Sequence, residues 1–164
     1  MLIPVKVAGI TLDPNTKTPV VVLVGDDKIL PIWIGGLEAH AILMQLQGIE
    51  PPRPLTHDLL KRVILSLSAT VESVVITDIR DSVYYAEIIV KDGGVTIAID
   101  SRPSDAMALA LRMECPILVE SKVFDLINES PESKGQEGTP DDEKERIRRY
   151  IENLRPEDFG NLDI

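Results

Sequence analysis

The 164-residue sequence is 44% hydrophobic, enough to enclose a core of its own and short for two ordinary independent domains. Its 17 Lys and Arg against 27 Asp and Glu give a formal charge of −10, which repels a phosphate backbone at long range and excludes tight, non-specific nucleic-acid binding through a basic surface. One cysteine, Cys115, excludes an intrachain disulfide, no leader pattern opens the sequence, and no apolar run approaches the roughly 20 residues of a membrane-crossing helix, so a soluble, cytoplasmic protein without a membrane partner is expected.

Residues 2–11 read as a strand, Asp13-Pro14-Asn15 as a turn, 19–24 as a second strand and 28–34 as a third. Gly25-Asp26-Asp27 is hairpin chemistry between the last two. From 37 to 47, Leu37, Ala41 and Met44 recur at helical spacing, Ile42, Leu43 and Leu46 widen the stripe, and Gly48 closes the helix. That breadth predicts burial on more than one side, with His40 a hydrogen-bonded core histidine, and Trp33 is expected to anchor the core. Pro51-Pro52-Arg53-Pro54 then leads to Thr56, the candidate N-cap of a helix running to about Leu67. Residues 71–80 and 83–91 alternate like strands, Asp92-Gly93-Gly94 is a hairpin turn, and 95–100 is the next strand. A helix follows over 103–113 with Ser101 or Ser104 near its start, and a second short helix or turn begins near Val123.

The second half thus replays the first. Shifted by 67 positions, Glu38-Ala39-His40-Ala41-Ile42 falls on Asp105-Ala106-Met107-Ala108-Leu109, Gly25-Asp26-Asp27 on Asp92-Gly93-Gly94, and Asp58-Leu59-Leu60 on Asp125-Leu126-Ile127. The expected architecture is α+β: a duplicated β-β-β-α-α unit forming a mixed or antiparallel β body with packed helices, occupying 1–130 as repeats of about 1–67 and 68–130. Residues 131–164 are expected to form an acidic linker and a C-terminal helix. Its narrow seam of Ile147, Tyr150, Ile151 and Leu154 is suited to docking on the body or on a neighbouring subunit, and a homodimer is the expected assembly.

No phosphate-binding P-loop, dinucleotide glycine fingerprint, zinc-ligand spacing or nucleophile elbow is present. Polar residues crowd instead at junctions that lead into helices: Glu38 and His40; Arg53, Thr56, His57 and Asp58; Asp100, Ser101, Arg102, Ser104 and Asp105. Each group also has a purely structural reading. Thr56-His57-Asp58 and Ser101-Arg102-Pro103-Ser104-Asp105 are ordinary helix starts, and Arg53 and Arg102 can simply pair with Asp105, Asp58 or Glu38.

Three of these stretches carry a resemblance. Leu30-Pro31-Ile32-Trp33-Ile34-Gly35-Gly36-Leu37-Glu38-Ala39, Arg53-Pro54-Leu55-Thr56-His57-Asp58-Leu59 and Asp100-Ser101-Arg102-Pro103-Ser104-Asp105-Ala106-Met107-Ala108-Leu109-Ala110 resemble the signature segments of the bifunctional nuclease domain family. Tyr84-Tyr85-Ala86 and Pro156-Glu157-Asp158-Phe159 are also similar to it. The resemblance implies an α+β domain and the DNase and RNase activity claimed for plant members. In a nuclease of this kind, Glu38, Asp58, Asp100 and Asp105 are the available oxygen ligands for Mg²⁺ or Mn²⁺. His57, Asp100 and Asp105 are the catalytic candidates, His57 as general base, and Arg53 and Arg102 are candidates to hold substrate phosphate. The competing expectation is a non-enzymatic interaction or regulatory module that binds a small anion or a protein partner at the same groups. A nucleotide sensor that holds phosphate on helix N-termini is a third.

Overall fold

Two consecutive residues with positive φ let a two-residue hairpin match the twist of its strands, and the chain supplies such pairs three times: Asp26 and Asp27, Asp81 and Ser82, Gly93 and Gly94. The computed structural model describes residues 1–129. Its elements are β1 (Leu2–Leu12), β2 (Pro19–Gly25), β3 (Lys28–Trp33), α1 (Gly36–Leu46), α2 (Thr56–Ser66), β4 (Thr70–Arg80), β5 (Val83–Asp92), β6 (Val95–Ser101), α3 (Pro103–Met113), β7 (Ile117–Glu120) and α4 (Ser121–Glu129). The seven strands form one mixed sheet in the order β3-β2-β1-β7-β4-β5-β6, antiparallel throughout except where β4 meets β7. The α+β class follows. The expected C-terminal helix and linker lie outside the described residues.

The shift that aligned the motifs carries Gly36–Leu46 onto Pro103–Met113, and β3 onto β6 to within a residue. The second half departs from β-β-β-α-α by one strand. β7 lies between α3 and α4 and fills the middle of the sheet, pairing Ile3 with Val119 on one side and Val74 with Ile117 on the other. Its four residues alternate, with Ile117 and Val119 buried.

The sheet is strongly curled. β3 and β5 are separated by four strands, about 24 Å in a flat sheet at ordinary strand spacing. Yet the Tyr84 hydroxyl on β5 donates a hydrogen bond of 3.1 Å to the Pro31 carbonyl on β3. Register shifts in β1 between Val7 and Gly9, and in β4 between Val71 and Ser73 and between Ile76 and Asp78, supply bends of the kind that bulges make. Burial at this closure pushes the Tyr84 hydroxyl up to about 12, so it remains a donor at any ordinary pH.

Inside the curl, Leu23, Leu30, Ile42, Ile76, Met107 and Leu109 are fully buried. α3 is the central helix, buried from Ala106 to Ala110 and packed against α1, α2, β4 and β5. Its alternation of Ala with Met and Leu lets neighbouring elements approach closely on several sides. Two expectations about burial are corrected. Trp33 is 51% exposed at the end of β3, where its indole N–H donates to Asp13 in the β1–β2 turn. α1 buries Ala39, Ile42 and Leu43 but leaves Leu37, His40 and Leu46 exposed, because α3 covers one side of it and nothing among the described residues covers the other.

Gly25, at the end of β2, makes a close approach that the sequence alone does not reveal. A Cβ there would run into the Pro4 carbonyl oxygen of β1 and touch Val5. Because the obstacle is backbone, Gly25→Ala is expected to cost about 1–3 kcal/mol in urea unfolding, while Gly36→Ala, which meets nothing, costs nothing measurable.

Candidate functional site

Three helices begin at one place. Glu38 sits in the first turn of α1, His57 is the second residue of α2, and Asp105 lies in the first turn of α3 with Arg102 at its N-cap. Pro103 fixes the first turn of α3 without needing an N–H partner, and extended backbone at Arg102 turns its side chain out of the helix. The guanidinium then bridges two helices. Its Nε donates to Asp105 Oδ2 at 2.7 Å and a terminal nitrogen donates to Glu38 Oε1 at 3.0 Å. The other oxygen of Asp105 lies 3.0 Å from Nε2 of His57. The result is a continuous chain, Glu38–Arg102–Asp105–His57, that ties the starts of α1, α3 and α2 together.

Burial alone pushes the Asp105 carboxyl up, but hydrogen bonds from Arg102 and His57 outweigh it and hold it below the ordinary carboxylate value of 3.8. Asp105 is therefore ionised and can only accept. Nε2 of His57 must then carry the proton, which leaves Nδ1 as the basic nitrogen of a neutral ring. The imidazole is mostly covered while Arg102 is largely exposed. Two of the five N–H donors of Arg102 are engaged by carboxylates, leaving three for an anion at the surface.

Asp58 neighbours His57 in sequence but points into a second cluster. One oxygen accepts the Leu55 N–H at 2.9 Å, closing the start of α2, and the other accepts Nε of Arg112 at 2.6 Å. The cap of α2 is thus made by Asp58 across the first turn; Thr56, the expected cap, is already helical. Arg112, from the far end of α3, is 5% exposed and donates also to the carbonyls of Ala41 on α1 and Ala108 on its own helix. Lys61 on α2 donates to the Arg112 carbonyl at 2.6 Å. Burial raises the Asp58 carboxyl and the Arg112 and Leu55 hydrogen bonds overcome that, so it too is held below the ordinary range.

Sequence reasoning missed Arg112. The available signal was an arginine in an otherwise apolar helix, one heptad after Asp105 and so on nearly the same face.

Asp100 and Arg53 stand apart. Asp100 is exposed on β6, directly across from Glu87 on β5. Arg53 is exposed in the loop before α2, and no hydrogen bond or ion pair among the described residues joins either one to the chain through Asp105. The four acids expected as metal ligands therefore go to three places, and among the described residues no group of three or more His, Cys, Asp or Glu is placed to hold a metal ion. Such a dispersed donor set does not fit a cation held by carboxylates, which needs several oxygens converging within about 2–2.6 Å. Like charges opposite one another weaken a sheet, so Asp100→Asn is expected to raise the thermal unfolding midpoint slightly. A fall in that midpoint would mean that the carboxylate makes a stabilising contact.

No helix among the described residues is long and apolar enough to cross a membrane. Comparison with known proteins places this geometry in a family. An uncharacterised protein of Mycobacterium tuberculosis is 37% identical over 161 residues, 94% of this chain and 96% of that one. Bifunctional nuclease 1 of Oryza sativa subsp. indica is 30% identical over 102 residues, 60% of this chain and 31% of its own length. Bifunctional nuclease 2 of Oryza sativa subsp. japonica is 27% identical over 117 residues, 68% of this chain and 36% of its own. The sequence pattern of the bifunctional nuclease domain matches residues 20–131, the span that starts within β2 and contains β3 and all four helix starts, and the chain belongs to the bifunctional nuclease domain family.

Proposed function

We propose that the junction of α1, α2 and α3 hydrolyses phosphodiester bonds of single-stranded RNA and DNA. The observation that carries this reading is the His57–Asp105–Arg102 chain, which puts an oriented imidazole beside an arginine with donors to spare. Nδ1 of His57 takes a proton from water, the water oxygen bonds to phosphorus, the P–O bond to the leaving nucleotide breaks, and the proton is returned to that oxygen. Asp105 holds the ring in the required tautomer and stabilises the imidazolium as it forms. Arg102 neutralises charge growing on the phosphoryl oxygens. Glu38 fixes the second edge of the guanidinium and so sets where the remaining donors point. Family membership and the distant similarity to the rice nucleases support the same activity. A strongly acidic chain suits a weak enzyme that engages one phosphate at a time, since it offers little long-range attraction.

The same bonds favour a second reading. Arg102 already satisfies two carboxylates, as expected of a module that uses ion pairing to hold helices together and accepts only a small anion. The deciding assay is cleavage of fluorescent single-stranded RNA and DNA by rigorously purified protein with Mg²⁺, Mn²⁺ or EDTA, beside a folded His57→Ala variant. Cleavage lost in the variant supports the enzyme and its site. Cleavage that survives places the chemistry elsewhere, and no cleavage by either protein supports the module.

A further inference from the structure

The two edges of the sheet are finished differently. The β3 edge has Pro31 in mid-strand, which cannot donate to another strand, and the curl brings Tyr84 onto the Pro31 carbonyl. The β6 edge has neither device. Its sequence, Val-Thr-Ile-Ala-Ile-Asp-Ser, has no proline, no lysine and no register shift, and every residue from Val95 to Asp100 is exposed. Val95, Ile97 and Ile99 are 61%, 44% and 46% exposed although Ile97 and Ile99 lie across from the buried Val90 and Ile88. They extend the core face of β5 outward, and no described element buries them.

We propose that β6 pairs antiparallel with β6 of a second copy of this chain, about a two-fold axis through Ala98. Only that register uses all seven residues of the strand, Val95–Ser101, and it is self-complementary on both faces. Ile97 meets Ile99, Val95 meets Ser101, Ala98 meets itself, and Asp100 faces Thr96 rather than another acid, so no like charges oppose one another across the new pair. Any register that set Asp100 against Asp100 would add a repulsion to the one already present with Glu87. The pairing joins two seven-stranded sheets into one, satisfies the outward N–H and C=O groups of β6, and covers with its own copy an apolar strip that stands exposed among the described residues. It is independent of whether the helix junction is catalytic.

The test uses the full 164-residue chain. Sedimentation equilibrium is expected to give a dimer for the wild type and a monomer for Ile97→Lys, which places an ammonium against Ile99 of the other copy twice per dimer. The register is read by cysteines in a Cys115→Ser background. Opposed Cα atoms in an antiparallel pair lie about 4.5–5.5 Å apart, within disulfide range. Ala98→Cys is expected to cross-link to itself on oxidation; Thr96→Cys alone is not, but is expected to cross-link when mixed with Asp100→Cys. A monomeric wild type overturns the proposal, including the case in which the edge serves a peptide of another protein. A dimer whose Ala98→Cys form does not cross-link overturns it as well, and this second readout decides the matter if Ile97→Lys fails to fold.

Discussion

Arg112→Ala is expected to lower the stability of the protein by about 3–5 kcal/mol in urea unfolding, the largest loss from any single polar residue named here. The guanidinium is buried and donates to three elements at once, to Asp58 on α2, Ala41 on α1 and Ala108 on α3. Removing it takes the Arg112 partner from the part-buried Asp58 carboxylate and a second donor from the Ala41 carbonyl, and a carboxylate that loses such a partner costs more than the net worth of the bond. Replacing both members of the pair, as in Arg112→Met with Asp58→Leu, removes the stranded charge and is expected to recover much of the loss. Because Asp58→Leu also opens the cap on the Leu55 N–H, the coupling is read from the cycle that includes Asp58→Leu alone, and a cycle without coupling would mean that the two residues do not act as a pair. Acidity adds an independent check with a definite sign. The Asp58 carboxyl is depressed below 3.8 in the folded chain, so its contribution is fully present above that value and is lost as the pH falls through the lower folded one. The gap between wild type and Arg112→Ala should therefore narrow on acidification below about 3.8 and not between pH 5 and 8.

What the sequence made legible was what is local. The strands and helices of both halves came from alternation, periodicity and turn residues, and the Gly25-Asp26-Asp27 and Asp92-Gly93-Gly94 hairpins fell where they were expected. β7 escaped because four residues after a proline carry almost no periodic signal, and its strand character depends on β1 and β4, both remote in sequence. Trp33 and His40 were misplaced for a related reason. Size and helical context bias a residue inward, but curl and the position of α3 decide which face is covered. At the site, the pairing of Arg102 with both Asp105 and Glu38 was among the options read from charge and helix-start chemistry. The partner of Asp58 was not, since Arg112 lies 54 positions away and is recruited by the packing of α2 on α3. Dispersal of the four acids is likewise a tertiary fact. Asp100 is only five residues from Asp105, yet the strand ends at Ser101 and the chain turns, so one carboxylate faces Glu87 on the sheet edge and the other faces His57.

His57→Ala is expected to lower kcat by about 10²–10⁴ with a smaller effect on KM, as removal of a general base does. Asp105→Asn should cost a comparable factor by a different route. The amide fits the same space but can donate to Nε2, which favours the tautomer that protonates Nδ1 and removes its lone pair from the water. Arg102→Lys keeps the charge and loses the fork that reaches Asp105 and Glu38 together, so it should weaken both substrate binding and the orientation of His57. A folded His57→Ala variant that keeps the wild-type kcat would remove His57 from the reaction, leaving the Glu38–Arg102–Asp105 chain as a structural clamp on three helix starts.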